Sequence, residues 1–143
     1  MRGKKMNFIK KKINEKKTRK VMNEFNKSLQ NSNYDECSKK IGILEDLEYS
    51  NIDYLKGIIF YSKGNYEESI SCLKKINKHS KTFLLSQNLV MNNYILLGKY
   101  LELDYTIKQH SNKISGMQEL YFKINCLQHM KIDYFESNKE EIS

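Results

Sequence analysis

A tyrosine recurs along this chain at intervals that suit a pair of helices. Tyr34, Tyr66, Tyr100 and Tyr134 are separated by 32, 34 and 34 residues. Around them NSNYDECSKKIGIL (31–44), SKGNYEESISCLKKI (62–76), LLGKYLELDYTI (96–107) and MKIDYFESNKEEI (130–142) align without gaps. A recurrence of this length points to architectures in which one supersecondary unit stacks on the next. Gly64 and Gly98 each stand two residues before an anchor tyrosine. Glycine enters the left-handed turn that ends a helix at little steric cost. Asn65 and Glu68 form an N-x-x-E pattern, in which the amide caps the next helix and the carboxylate reaches back. Ser115 and Gln118 repeat that signature before the fourth unit.

The hydrophobic spacing agrees with helices. Tyr34, Cys37, Ile41 and Leu44 fall on one helical face, as do Tyr66, Ser69, Ile70, Leu73 and Ile76. Met117, Leu120, Tyr121, Ile124 and Leu127 do the same. Residues 82–97 carry apolar side chains on more than one face, which predicts the most buried helix. No useful length alternates with the period of a strand. The spacing predicts helix pairs at 18–31 and 33–47, 51–63 and 65–78, 80–97 and 99–112, and 115–130 and 132–142. Short connections make partners antiparallel, and the polar last helix suits the end of a stack.

Charge divides the chain. Residues 1–20 hold ten Lys and Arg (Arg2, Lys4, Lys5, Lys10, Lys11, Lys12, Lys16, Lys17, Arg19 and Lys20) against one acid, Glu15. The other 123 residues hold 15 basic and 16 acidic groups, so a near-neutral body carries a basic arm. We place the arm at 1–17 and the helical domain at 18–143. Such an arm meets an anionic partner: RNA, an anionic membrane or an acidic protein patch. The plain alternative is a solvated terminus. Met6, Ile9 and Ile13 recur at helical spacing among the lysines and would give a thin apolar stripe. Phe8 is the arm's sole aromatic, which argues against base stacking.

Three cysteines, Cys37, Cys72 and Cys126, form no C-x-x-C pair and are odd in number. A disulfide framework is disfavoured, and a reducing compartment, cytoplasm or nucleus, is expected. No apolar run reaches the roughly 18 residues of a membrane span. His79, His110 and His129 show no metal-ligand spacing. A phosphate-binding loop, a nucleophile elbow and a dinucleotide fingerprint are all missing. We therefore expect no catalytic residue, no metal and no cofactor.

Gly57, Phe60, Gly64, Tyr66 and Ser69, followed by Leu73 and Ile76, resemble the core of a tetratricopeptide repeat (TPR). That pattern asks for Gly, an aromatic, Gly, an aromatic and a small residue at these offsets. The first unit keeps Tyr34, Cys37, Ile41 and Leu44 without the glycines. The third keeps Tyr94, Gly98 and Tyr100 but has Leu103 where a small residue belongs, which puts close packing of that pair in question. The chain contains no Ala and no Pro, both usual in the family. The resemblance covers residues 18–142. It implies an all-α fold of antiparallel helix pairs stacked as a short right-handed solenoid. Residues 18–107 also resemble, in the order of their pieces, the N-terminal repeats of TPR subunits of the anaphase-promoting complex, a ubiquitin ligase. In that family those repeats pair two copies into a homodimer.

The resemblance also implies a concave groove lined by the first helix of each pair. Carried over, it presents Met22 and Asn26, then Tyr54, Ile58 and Tyr61, then Asn88, Asn92 and Ile95, then Phe122, Cys126 and His129. Aromatic rings with neighbouring amides suit a peptide partner; the alternative is that these side chains pack on adjacent helices or a second copy. Family members that clamp a C-terminal carboxylate use Lys and Arg where Met22, Tyr54 and Asn88 stand, so that ligand is not expected. Tyr34, Tyr66 and Tyr100 should be core residues, with Tyr66→Ala costing about 3–5 kcal/mol. The resulting expectation is a non-enzymatic scaffold for protein partners, a subunit of a larger assembly. The competing one is an RNA- or ribosome-associated adaptor held by the basic arm.

Overall fold

The computed structural model describes residues 2–110, with side chains from residue 6 onward. These residues form six α-helices: α1 (Arg2–Gln30), α2 (Tyr34–Asp46), α3 (Ile52–Ser62), α4 (Tyr66–Leu73), α5 (Phe83–Leu97) and α6 (Tyr100–His110). No strand occurs among the described residues. Each helix packs on its neighbour in sequence, and α3 also touches α5. The expected fourth pair, with Tyr134, lies outside the described residues.

The three described anchor tyrosines, Tyr34, Tyr66 and Tyr100, are each the first residue of a helix: α2, α4 and α6. The turn before each has one geometry. Two residues ahead of the tyrosine stands a left-handed residue: Ser32 (φ 57°), Gly64 (φ 81°) or Gly98 (φ 70°). The next N–H then bonds to a carbonyl five residues back: Asn33 to Ser28 at 2.8 Å, Asn65 to Phe60 at 2.8 Å and Lys99 to Tyr94 at 2.9 Å. This pairing closes the last turn of a helix and satisfies carbonyls that would otherwise be orphaned. The α2–α3 turn uses the same device, with Glu48 at φ 59° and Tyr49 N–H bonded to the Leu44 carbonyl at 3.0 Å. Ser32 and Glu48 accept a backbone conformation that glycine would enter more cheaply.

The largest departures from the sequence reading are at two helix boundaries. Helix α1 does not begin near residue 18 but runs unbroken from Arg2, so the boundary placed at 17/18 falls inside it. Between Gly3 and Gly42 there is neither Gly nor Pro, and lysine is a good helix former, so nothing stops the helix. Helix α4 ends at Leu73 rather than near 78. The Asn77 side chain accepts the His79 N–H at 2.9 Å, and the Asn77 carbonyl accepts Ser80 N–H at 3.0 Å. These local bonds favour a turn over a further helical turn. The capping box expected at Asn65 is also absent: Asn65 holds the cap position without a side-chain cap bond. Asn33 does cap α2, accepting the Glu36 N–H at 3.3 Å.

The core divides into two clusters. Val21 and Phe25 of α1, Cys37, Ile41 and Leu44 of α2, and Leu55 and Ile59 of α3 form the first. Ile70 and Leu73 of α4, Val90, Met91 and Tyr94 of α5, and Leu103 and Ile107 of α6 form the second. They meet at a close seam between α3 and α4. A Cβ added to Gly57 would lie 2.6 Å from Leu73 Cδ2, so the two backbones approach as only glycine allows. There the buried Ser69 hydroxyl donates to the Gly57 carbonyl at 2.7 Å and accepts from Asn93 Nδ2 at 3.0 Å. Asn93 also donates to the Leu89 carbonyl at 3.0 Å. The small residue expected at position 69 is thus both a spacer and a polar link across three helices.

Leu103 proves compatible with packing, since it is fully buried in the second cluster. Helix α5 is less enclosed than expected: Val90, Met91, Asn93 and Tyr94 are buried, but Leu84, Leu85 and Leu96 are exposed. The three described anchor tyrosines are half-buried rather than core. Tyr34 donates its hydroxyl to the Ser62 carbonyl at 3.2 Å. Tyr66 rests its ring against Tyr61, centroids 5.9 Å apart. Cys37 and Cys72 are buried and free, and burial raises both thiol pKa values.

Candidate functional site

The groove candidates fall on two helices that touch. Tyr54, Ile58 and Tyr61 lie on α3, and Asn88, Asn92 and Ile95 lie on α5. Helices α3 and α5 are in contact. All six are half-buried, so each offers part of its surface outward while its remainder packs inward. Tyr54 and Ile95 pack against the second cluster, and burial raises the Tyr54 hydroxyl pKa. Tyr61 is held by its ring contact with Tyr66. On α1, Met22 packs against the first cluster and Asn26 is exposed. Phe122, Cys126 and His129 lie outside the described residues.

A second surface was not anticipated. Lys74, just past the end of α4, and residues of α5 and α6 line an open groove of about 500 Å³, with Val90, Tyr94, Leu101 and Tyr105 as its apolar wall and Lys74 and Glu102 among its polar residues. Leu101 is 75% exposed and Tyr105 63%, unusual for large apolar residues on a short helix. The signal was present in the sequence. Leu101 and Tyr105 are four apart, on the face of α6 away from Leu103 and Ile107. Sequence reasoning considered only Tyr100 and Leu103 on this helix and passed over Leu101 and Tyr105.

Lysine–carboxylate pairs tie the helices together. Lys40 of α2 meets Glu24 of α1 at 2.7 Å, and Lys56 of α3 meets Glu45 of α2 at 3.1 Å. Lys99, just before α6, meets Glu67 of α4 at 3.6 Å. The Lys40 contact lowers the Glu24 pKa, and Glu24 raises that of Lys40. Among the described residues, no group of three His, Cys, Asp or Glu is placed to hold a metal. His79 is exposed, and His110 sets its ring against Phe83 at 5.5 Å.

The basic residues occupy the free half of α1. From Met6 to Lys20 no residue is buried; Val21 is the first that is. Lys10, Lys11, Lys12, Lys16, Lys17, Arg19 and Lys20 are all exposed. Arg2, Lys4 and Lys5 lie on the same helix, ahead of the described side chains. Met6, Phe8, Ile9 and Ile13 are exposed beside them. No described helix is long and apolar enough to cross a membrane.

Comparison with known proteins finds no matching family model, no matching curated protein and no matching solved structure.

Proposed function

We propose that this protein is a non-enzymatic scaffold of TPR type that binds a protein or peptide partner as a subunit of a larger assembly. The observation that carries this reading is the repeated turn. Three times a left-handed residue, a carbonyl-to-amide closure and a helix-starting tyrosine recur at the same offsets. A unit reproduced with that regularity is the mark of a stacked array. The packing order supports it, since neighbours in sequence are neighbours in space and α3 reaches α5. The Gly57–Ser69 approach falls where the repeat pattern calls for small residues.

Two surfaces suit a polypeptide: the α3–α5 face with Tyr54, Ile58, Tyr61, Asn88 and Asn92, and the Leu101–Tyr105 groove. Half-exposed rings supply buried area on binding, and adjacent amides bond to peptide groups. Quantitative cross-linking and co-purification from the native cell tests the reading. The wild-type chain should recover a defined set of proteins. Ile58→Asp with Tyr61→Asp, or Leu101→Asp with Tyr105→Asp, should reduce recovery at least about tenfold. Unchanged recovery with all four substitutions refutes the scaffold reading at these faces. Light scattering of the purified chain tests the homodimer that the narrower resemblance implies.

A further inference from the structure

We infer that the projecting half of α1 is an interfacial anchor that lies on an anionic lipid bilayer. Helix α1 separates into two parts by burial: Val21 and Phe25 enter the core, whereas no residue from 6 to 20 is buried. Met6, Ile9 and Ile13 are 70%, 57% and 50% exposed. Spacings of three and four residues hold these side chains within an arc of about 60°. By the same rotation, Lys10 and Lys17 fall on one edge of the stripe and Lys12 and Lys16 on the other. Glu15, the sole acid of residues 1–20, falls on the opposite side. Lysines that flank an apolar stripe can lay their methylene stems along it and raise their ammonium groups to lipid phosphates.

The direction of the stripe also fits. Val21, Met22, Phe25 and Leu29 face the first cluster. Their mean direction is about 140° around the helix from the stripe. A helix resting on a bilayer by its stripe therefore holds α2 and the body away from the lipid. A nucleic-acid backbone would reward the lysines but gain nothing from Met6, Ile9 and Ile13. A bilayer interface rewards both, which decides between them. The inference stands apart from the scaffold reading, since it uses none of the same residues.

Vesicle sedimentation of the full chain tests it, comparing phosphatidylcholine vesicles with vesicles containing about 30 mol% phosphatidylglycerol. Binding to the anionic vesicles should be at least about tenfold stronger and should weaken as salt is raised. Ile9→Asn with Ile13→Asn should weaken binding about tenfold. Lys10→Gln with Lys17→Gln should do the same. Both variants should melt like the wild type, because none of these side chains enters the core. Failure to bind anionic vesicles overturns the inference. So does binding that the isoleucine substitutions leave unchanged, which would be attraction of charge alone. Tight binding of homopolymeric RNA, indifferent to those substitutions and without vesicle binding, would assign the helix to nucleic acid instead.

Discussion

Gly57→Ala tests the seam between α3 and α4. The added Cβ would lie 2.6 Å from Leu73 Cδ2 and 2.7 Å from Leu73 Cγ. Carbon atoms in ordinary contact sit about 3.5–4.0 Å apart, so the overlap is about 1 Å. Leu73 is fully buried in the second cluster and has no open space to swing into. The helices must part, which also stretches the 2.7 Å Ser69–Gly57 hydrogen bond. Overpacking of this kind costs about 1–3 kcal/mol. Alanine in a helix interior recovers at most about 1 kcal/mol relative to glycine. The net expectation is a loss of about 1–2 kcal/mol, or about 3–8 °C in melting temperature for a chain of this size. Gly42→Ala is the matched control: it lies inside α2, and its Cβ would meet nothing within 4 Å. That substitution should raise stability by up to about 1 kcal/mol. Thermal unfolding followed by far-ultraviolet circular dichroism reads both variants. If Gly57→Ala melts as high as Gly42→Ala, the close approach at the seam is not real.

Five further outcomes follow from the contacts described above. Ser69→Ala removes the donor to Gly57 and an acceptor for Asn93, and should lower unfolding free energy in urea by about 1–3 kcal/mol. Phe25→Ala should cost about 3–5 kcal/mol because Phe25 is 1% exposed. Half-buried Tyr66→Ala should cost only about 1–2 kcal/mol, and equal losses would contradict the burial difference. Gly64→Ala forces a side chain onto φ 81° and should cost about 1–2 kcal/mol in the same melts. The Glu24–Lys40 pair should add stability throughout the range in which both groups are charged. Glu24 has a lowered pKa, so its contribution is complete above the ordinary value of 4.5 and disappears as pH falls below it. Lys40 has a raised pKa, so its contribution is complete below 10.5 and is lost at still higher pH. A Lys40→Met variant whose melting temperature follows the wild-type pH profile at both extremes would remove the pair from that account.

The helical pairing was legible because it rests on local rules. Gly64 and Gly98 mark their turns by residue type, and Tyr34, Tyr66 and Tyr100 start the helices that follow. The turns at Ser32 and Glu48 are the same structure without the glycine, so a search for glycine passes over them. There the surrounding helices hold the strained residue in place, which no local pattern reveals. The early end of α4 depends on the Asn77 side chain finding His79 N–H, a competition between bonds rather than a propensity. Asn88 and Asn92 were noticed for a groove, whereas the buried Asn93, next to Asn92 in sequence, was not. Its burial is a tertiary fact, although a polar residue inside an apolar helix was a visible irregularity. The division of the apolar residues into two clusters, and the exposure of Leu101 and Tyr105, depend on which helices meet, which periodicity alone does not specify.

The continuity of α1 has a mechanical consequence. A flexible tail would hold its cargo on a loose leash, leaving the body free to tumble. Here the cationic segment and the first core share one continuous helix, uninterrupted by any Gly or Pro from Lys4 to Gln30. Residues 6–20 alone extend about 22 Å. Whatever grips the outer end therefore sets the attitude of the whole body, much as a handle sets the angle of a blade.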